Sequence, residues 1–129
     1  MVPPIRALGS EYAAVQFRPR VTGDMAGWRF VGAVDGTTLS YVPSAPAGAP
    51  TTIAQGDVVE ITTDQPFVVK SQDDKHPFLM FTYMSGSGSN GGYGDPDHVV
   101  EVPPAQYMSN YVFFTDPSYT TTRATLQRR

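Results

Sequence analysis

The chain has 129 residues, a formal net charge of -3, twelve Gly, twelve Pro and no Cys. That length suits one domain with its own core. The absence of Cys excludes disulfides and thiolate zinc sites. The mildly acidic balance, with no basic stripe, excludes a phosphate-backbone partner such as nucleic acid, and the Gly and Pro content excludes long helices.

Charged residues make up 16% of the chain, against about 25% in an average soluble domain. Thr, Ser, Gly, Pro and Tyr take their place, a composition common in extracellular β proteins. No apolar run reaches the ~18 residues of a membrane span. Met1 is followed by Val-Pro-Pro, without the charged and apolar regions of a signal peptide.

The chain opens with a block that recurs near its end. Val2-Pro3-Pro4-Ile5-Arg6-Ala7-Leu8-Gly9-Ser10-Glu11-Tyr12 matches Val102-Pro103-Pro104-Ala105-Gln106-Tyr107-Met108-Ser109-Asn110-Tyr111, one residue shorter. Each copy reads Val-Pro-Pro, a spacer, Leu or Met, a small residue and then Tyr at the head of an alternating stretch. Residues 112–129 contain no second Trp-bearing strand and no second Asp-Gly-Thr-Thr turn. The block therefore reads as a strand-starting device: prolines break the preceding element and Tyr anchors the next strand. The two strands are expected in equivalent places in two sheets of one domain.

Period-2 alternation predicts a strand over 11–18 and another over 28–34. Asp35-Gly36 is a tight-turn signal, so residues 28–42 read as a hairpin. Residues 43–50 (PSAPAGAP) form an extended loop. Short strands come next at 51–54, 58–62 and 67–71, separated by Gln55-Gly56-Asp57 and Asp64-Gln65-Pro66, whose Gly and Pro suit turns. The most apolar run, 77–84 (PFLMFTYM), is expected in the centre of a sheet. A Gly/Ser loop at 85–94 precedes strands at 98–102, 111–115 and 120–127, with one helical turn at 104–109. The expected fold is all-β: an antiparallel β-sandwich, or a barrel-like closure, of about nine to ten short strands with at most one short helical turn.

Few residues point to chemistry. Residues 86–91 fit G-x-G-x-x-G, but the next residues, Gly92-Tyr93-Gly94-Asp95-Pro96, cannot open the helix that a dinucleotide site requires. The densest polar cluster is Asp95-Pro96-Asp97-His98, with Asn90 near it. Asp95 and Asp97, with loop carbonyls, are oxygen donors of the kind Ca²⁺ takes. The alternative is that they bond backbone amides and shape the turn.

Asn90, Tyr93, Asp95, Asp97 and Trp28 form the candidate ligand-binding set, with Trp28 also fitting the core. Asp73-Asp74-Lys75-His76 reads as a solvated turn, and neither His76 nor His98 has an evident partner. Arg18, Arg20 and Arg29 read as exposed strand-end arginines. Tyr41, Tyr83, Tyr93, Tyr107 and Tyr119 sit near loops or strand ends, where amphipathic rings suit protein or glycan contacts. No G-x-S-x-G elbow supports a serine triad, and no enzyme is expected.

A family resemblance runs through nearly the whole chain. Its pieces are Leu8-Gly9-Ser10-Glu11-Tyr12, Phe30-Val31-Gly32-Ala33 leading to Asp35-Gly36-Thr37-Thr38, Gln55-Gly56-Asp57-Val58, and Thr63-Asp64-Gln65-Pro66-Phe67-Val68-Val69. Gly94-Asp95-Pro96-Asp97 and Tyr111-Val112-Phe113-Phe114-Thr115-Asp116-Pro117 complete it. Each piece alone is a generic β signature, and their order and spacing carry the likeness. Together they resemble the N-terminal domain of the IgG Fc-binding protein and its bacterial surface and lipoprotein relatives. The resemblance implies an all-β, extracellular or cell-surface binding or adhesion module without catalysis, whose ligand is protein or glycan. It also implies that the single domain at 1–129 is a partial unit that runs on past Arg129. Further expectations are a Ca²⁺-dependent loop at Asp95 and Asp97, or otherwise no cofactor, and self-association through an unpaired edge strand.

Overall fold

A computed structural model describes residues 3–89, 91–92, 96–118 and 120–127. Eight strands appear in chain order: β1 (Glu11–Ala14), β2 (Ala26–Gly32), β3 (Thr37–Val42), β4 (Thr52–Ile53), β5 (Val58–Thr63), β6 (Phe67–Ser71), β7 (Phe78–Tyr83) and β8 (His98–Val100). They form two four-stranded antiparallel sheets, ordered β1-β6-β3-β4 and β5-β2-β7-β8. Single 3-10 turns lie at Ile5–Ala7, Ser87–Ser89 and Pro104–Gln106.

Alternation turns one side of each strand inward. In β2 the inward set is Ala26, Trp28 and Phe30; in β6 it is Phe67 and Val69; in β7 it is Phe78, Met80 and Thr82. Aromatic rings then meet across the two sheets edge-on. Tyr12 of β1 meets Phe78 of β7 at 4.9 Å, Trp28 of β2 meets Phe67 of β6 at 5.5 Å, and Phe30 of β2 meets Tyr41 of β3 at 6.4 Å. Each such pair adds about 0.5–1.5 kcal/mol beyond area burial. The expected sandwich is therefore present, with 77–84 forming β7 in the interior of its sheet.

Three expectations change. The strand count is eight rather than nine to ten, because 111–115 and 120–127 form no ladder among the described residues. Short helical turns number three among those residues rather than at most one.

Residues 28–42 are not a hairpin. β2 pairs with β5 and β7, whereas β3 pairs with β4 and β6, so the chain crosses from one sheet to the other at Asp35-Gly36. The end of β2 is already taken by the β4–β5 connection. Gly32 N–H donates to the Asp57 carbonyl and Gly56 N–H donates to the Gly32 carbonyl, both at 2.9 Å. The Asp35 carboxylate accepts the Gln55 N–H at 2.9 Å, so it holds this crossing instead of closing a two-residue loop.

The crossing depends on a close backbone approach. A Cβ on Gly32 would lie 1.9 Å from the Ala54 carbonyl oxygen, whereas one on Gly36 would meet nothing within 4 Å and face only the strain of φ +71°. Gly32→Ala is expected to cost about 3 kcal/mol and Gly36→Ala about 1 kcal/mol, measured by chemical denaturation. Equal costs would contradict the close approach.

Candidate functional site

The doubled block folds as the same device twice. In the first copy, Ala7 N–H donates to the Pro4 carbonyl at 2.8 Å and closes a 3-10 turn. Gly9 N–H then donates to the Tyr12 hydroxyl at 2.9 Å, three residues on. In the second copy, Gln106 N–H donates to the Pro103 carbonyl at 2.8 Å, and Met108 N–H donates to the Tyr111 hydroxyl at 2.9 Å, again three residues on. The two copies also touch. Gln106 Nε2 donates to the Ala7 carbonyl at 2.8 Å, and a Cβ on Gly9 would lie 2.4 Å from Pro103.

The two copies lead into different surroundings. Tyr12 is buried and opens β1, which pairs with β6. Tyr111 is exposed, and the stretch after it has no ladder; Val112 is 92% exposed, Phe113 65% and Phe114 98%. The expectation of a second strand in an equivalent place is thus corrected. Alternation makes 111–115 suitable for a sheet, but no neighbouring edge meets it.

An open, mostly apolar groove of about 520 Å³ lies on this side of the sandwich. The chain beyond β1 contributes Val15 and Phe17, and β8 with its exit contributes Val99, Val100, Glu101 and Val102. Thr82 comes from β7, and Tyr107, Tyr111, Phe113 and Leu126 come from the C-terminal segment. That segment is tied down where the Tyr107 hydroxyl donates to Gln127 Oε1 at 2.8 Å.

The groove holds one acid, Glu101. Burial raises its carboxyl above the ordinary carboxylate range, and the nearby Thr82 hydroxyl opposes the shift. Thr82 Oγ1 is itself buried, with the Glu101 carboxylate as its nearby acceptor. Burial, and then the Glu101 charge among others, also raises the Tyr107 phenol. The Tyr12 phenol is pushed up to about 12 by burial, the Gly9 N–H partly opposing this and the Glu101 charge adding to it.

The sequence candidates fall elsewhere. Trp28 is fully buried against Phe67, with its indole N–H directed at the Thr63 carbonyl at 3.4 Å. Its ligand-stacking role is corrected, because a ring enclosed between two sheets offers no face to a ligand. Asn90, Tyr93, Asp95 and Tyr119 lie outside the described residues. Asp97 is exposed and accepts the N–H of His98 at 2.7 Å, which is the turn-shaping alternative. It borders a smaller cleft of about 350 Å³ with Arg29, Tyr83 and His98.

Several other charged groups are paired, although Gln16 Oε1 and Arg20 Nη1 are buried without a partner among the described residues. Arg20 is no exposed strand-end arginine: its Nε meets Asp24 Oδ2 at 3.0 Å, and its Nη2 donates to the Ser85 carbonyl at 2.8 Å. The Arg20 guanidinium, against desolvation, holds the Asp24 carboxyl down at about 2. Arg29 reaches Glu60 at 2.6 Å and lies over the Tyr83 ring. His76, expected to lack a partner, has Nδ1 2.7 Å from Asp73. His98 sits at the far end of β7 from His76, on the order of 20 Å away, so the two cannot share a metal. Among the described residues no group of three or more His, Asp or Glu could hold a metal ion.

With this geometry in place, comparison with known proteins is direct. A family model described as IgGFc binding protein matches residues 1–129. The chain belongs to the IgGFc binding protein family. No curated protein matches it, and no solved structure does. Membership in this family accords with a non-enzymatic, protein-binding β module, and no helix among the described residues is long and apolar enough to cross a membrane. The family label attaches to a chain whose most unusual surface is the groove and the apolar stretch beside it. Sequence reasoning missed Glu101 and Thr82 as groove residues and 112–114 as exposed apolar residues; the doubled block was the signal that led to this edge.

Glu101 makes the groove testable without a partner. Its folded-state pKa is raised, so ionisation at neutral pH opposes folding, and that cost vanishes as pH falls through the folded value. Glu101→Gln should therefore raise the melting temperature at pH 7, with the gain disappearing toward pH 4. A variant less stable than the parent at pH 7 would contradict burial of this carboxylate without a counter-charge.

Proposed function

We propose that the chain is a non-enzymatic module displayed outside the cell that binds a protein partner on its β1/β8 edge, with 111–115 as the contact strand. One observation carries this reading. Tyr111 repeats the bond by which Tyr12 starts a strand, yet the residues after it find no neighbour and leave Val112, Phe113 and Phe114 in solvent. Three consecutive exposed apolar residues beside an apolar groove form the kind of patch that marks an interaction site. Burying one such side chain in a partner is worth about 1.5–3 kcal/mol. An extended segment can also add its backbone to a partner's sheet edge while alternate side chains fill pockets.

The family description supports the Fc region of IgG as the partner. Fc is an extracellular protein, which accords with the low charge density and the Thr/Ser/Tyr-rich surface. Biolayer interferometry against immobilised IgG Fc tests this directly. The parent chain should bind, and Val112→Asp and Phe114→Asp should each weaken binding about tenfold or more. Lys75→Asp, on an exposed turn elsewhere, should leave it unchanged. Parent-like binding by both aspartate variants would move the contact off this edge, and no binding by the parent would remove Fc as the partner.

A further inference from the structure

We propose that the β1/β8 groove receives the long side chain of a lysine or arginine from the partner, with the Glu101 carboxylate as its counter-charge and the Thr82 hydroxyl oxygen as a second acceptor. This rests on the reading of that edge as the contact surface and names the chemistry that the edge selects.

The charge pattern of the fold singles out Glu101. The chain has three glutamates. Glu11 meets Lys70 at 3.2 Å and Glu60 is held by Arg29. The buried aspartate, Asp24, is gripped by Arg20 and Ser85. Glu101 alone among these meets no cation among the described residues, although it lines an apolar groove. The two phenols close enough to feel its charge do not serve it: Tyr12 donates to the Phe78 carbonyl at 2.7 Å, and Tyr107 donates to Gln127.

An uncompensated charge in apolar surroundings is costly, and the Thr82 hydroxyl beside Glu101 can donate a hydrogen bond to that carboxylate while its own oxygen stays free to accept. Both lie in one groove and both oxygens accept hydrogen bonds, so a single ligand with several N–H donors can neutralise the one and bond the other. Lysine ammonium and arginine guanidinium are such ligands, and each rides on an aliphatic stem. The lining around the two oxygens suits that stem: Val15, Phe17, Val102 and Leu126 are all apolar. A groove of about 520 Å³ also leaves room for apolar neighbours of the basic residue. The formal charge of -3 favours approach of a basic partner.

The test uses four blocked tripeptides, acetyl-Val-X-Val-amide, with X as lysine, arginine, norleucine or glutamate. Each is titrated into the ¹⁵N-labelled full chain and followed by amide shifts at Thr82, Glu101 and Val102. The lysine or arginine peptide, or both, should shift these amides saturably, and whichever binds tighter identifies the cation. The norleucine peptide, equal in shape to lysine but uncharged, should bind about tenfold more weakly, and the glutamate peptide should not bind. Glu101→Gln should lower the lysine-peptide affinity to the norleucine level, and Thr82→Val should weaken it a few-fold.

Several results would overturn the proposal: norleucine binding as well as lysine and arginine, Glu101→Gln binding as the parent does, or no saturable shift with either basic peptide. Arg128 and Arg129 come directly after the groove residue Gln127 in sequence. A tenfold gain in peptide affinity on changing both to Gln would show that the chain's own arginines occupy the site, which would also overturn it. The peptides report on the groove without any partner. Failure here with a preserved effect of Phe114→Asp on Fc binding would sink the cation site and leave the contact strand standing.

Discussion

The Tyr12 hydroxyl joins three parts of the chain that would otherwise be weakly tied. It accepts the Gly9 N–H and donates to the Phe78 carbonyl of the opposite sheet, while its ring meets Phe78 edge-on. β1 has four residues and, among the described residues, pairs with β6 alone, so one short ladder holds it within its own sheet. The Tyr12 bonds fasten this edge strand to β7 as well, and a Gly9–Phe78 bridge reinforces the junction. Hydrogen bonds satisfied in a buried place are worth more than their number suggests, because losing one leaves polar groups stranded. Everything on this side of the sandwich is built on that junction: Pro103 against Gly9, Gln106 on Ala7, and the groove between Val15 and β8.

The second copy of the block sets up the same geometry without the same outcome. Its tyrosine forms the local bond, and the stretch that should become a strand lies in solvent. A fold that buried Phe113 and Phe114 would be more stable by several kcal/mol. The exposed stretch and the Glu101 carboxylate, which meets no cation among the described residues, lie on one edge, and each carries a cost that a partner would relieve. Elsewhere Arg20, Asp24 and Ser85 are bonded to one another, as are Arg29 and Glu60, although Gln16 Oε1 and Arg20 Nη1 are buried without a partner among the described residues. The exposed apolar stretch beside a groove that holds an acid without a cation is the physical basis for reading the edge as functional in a family described by its binding to IgG Fc.

Much of the fold was legible from alternation alone. The inward faces of β2, β6 and β7 keep the period of two, and the most apolar run became the interior strand β7. Turn chemistry was read correctly at Gly56, which has φ +86°, and misled at Gly36. Asp35-Gly36 does turn the chain, but local chemistry says nothing about which strands become neighbours. That was decided by the β4–β5 connection occupying the end of β2. Residues 111–115 have a strand's pattern and lack a strand's neighbour, a property of the surroundings rather than of the segment. Glu101 was illegible for a similar reason: one acid between Val99-Val100 and Val102-Pro103 looks like an outward residue until the C-terminal segment is folded over it.

Hydrogen–deuterium exchange of the chain with and without IgG Fc tests the central claim most directly, because it maps the contact without altering a residue. Slowed exchange on complex formation should fall at 98–102 and 107–115, with β2 and β5 unchanged. Protection across the Arg29–Glu60 face or the 43–50 loop, with 107–115 exchanging as in the free chain, would contradict the account.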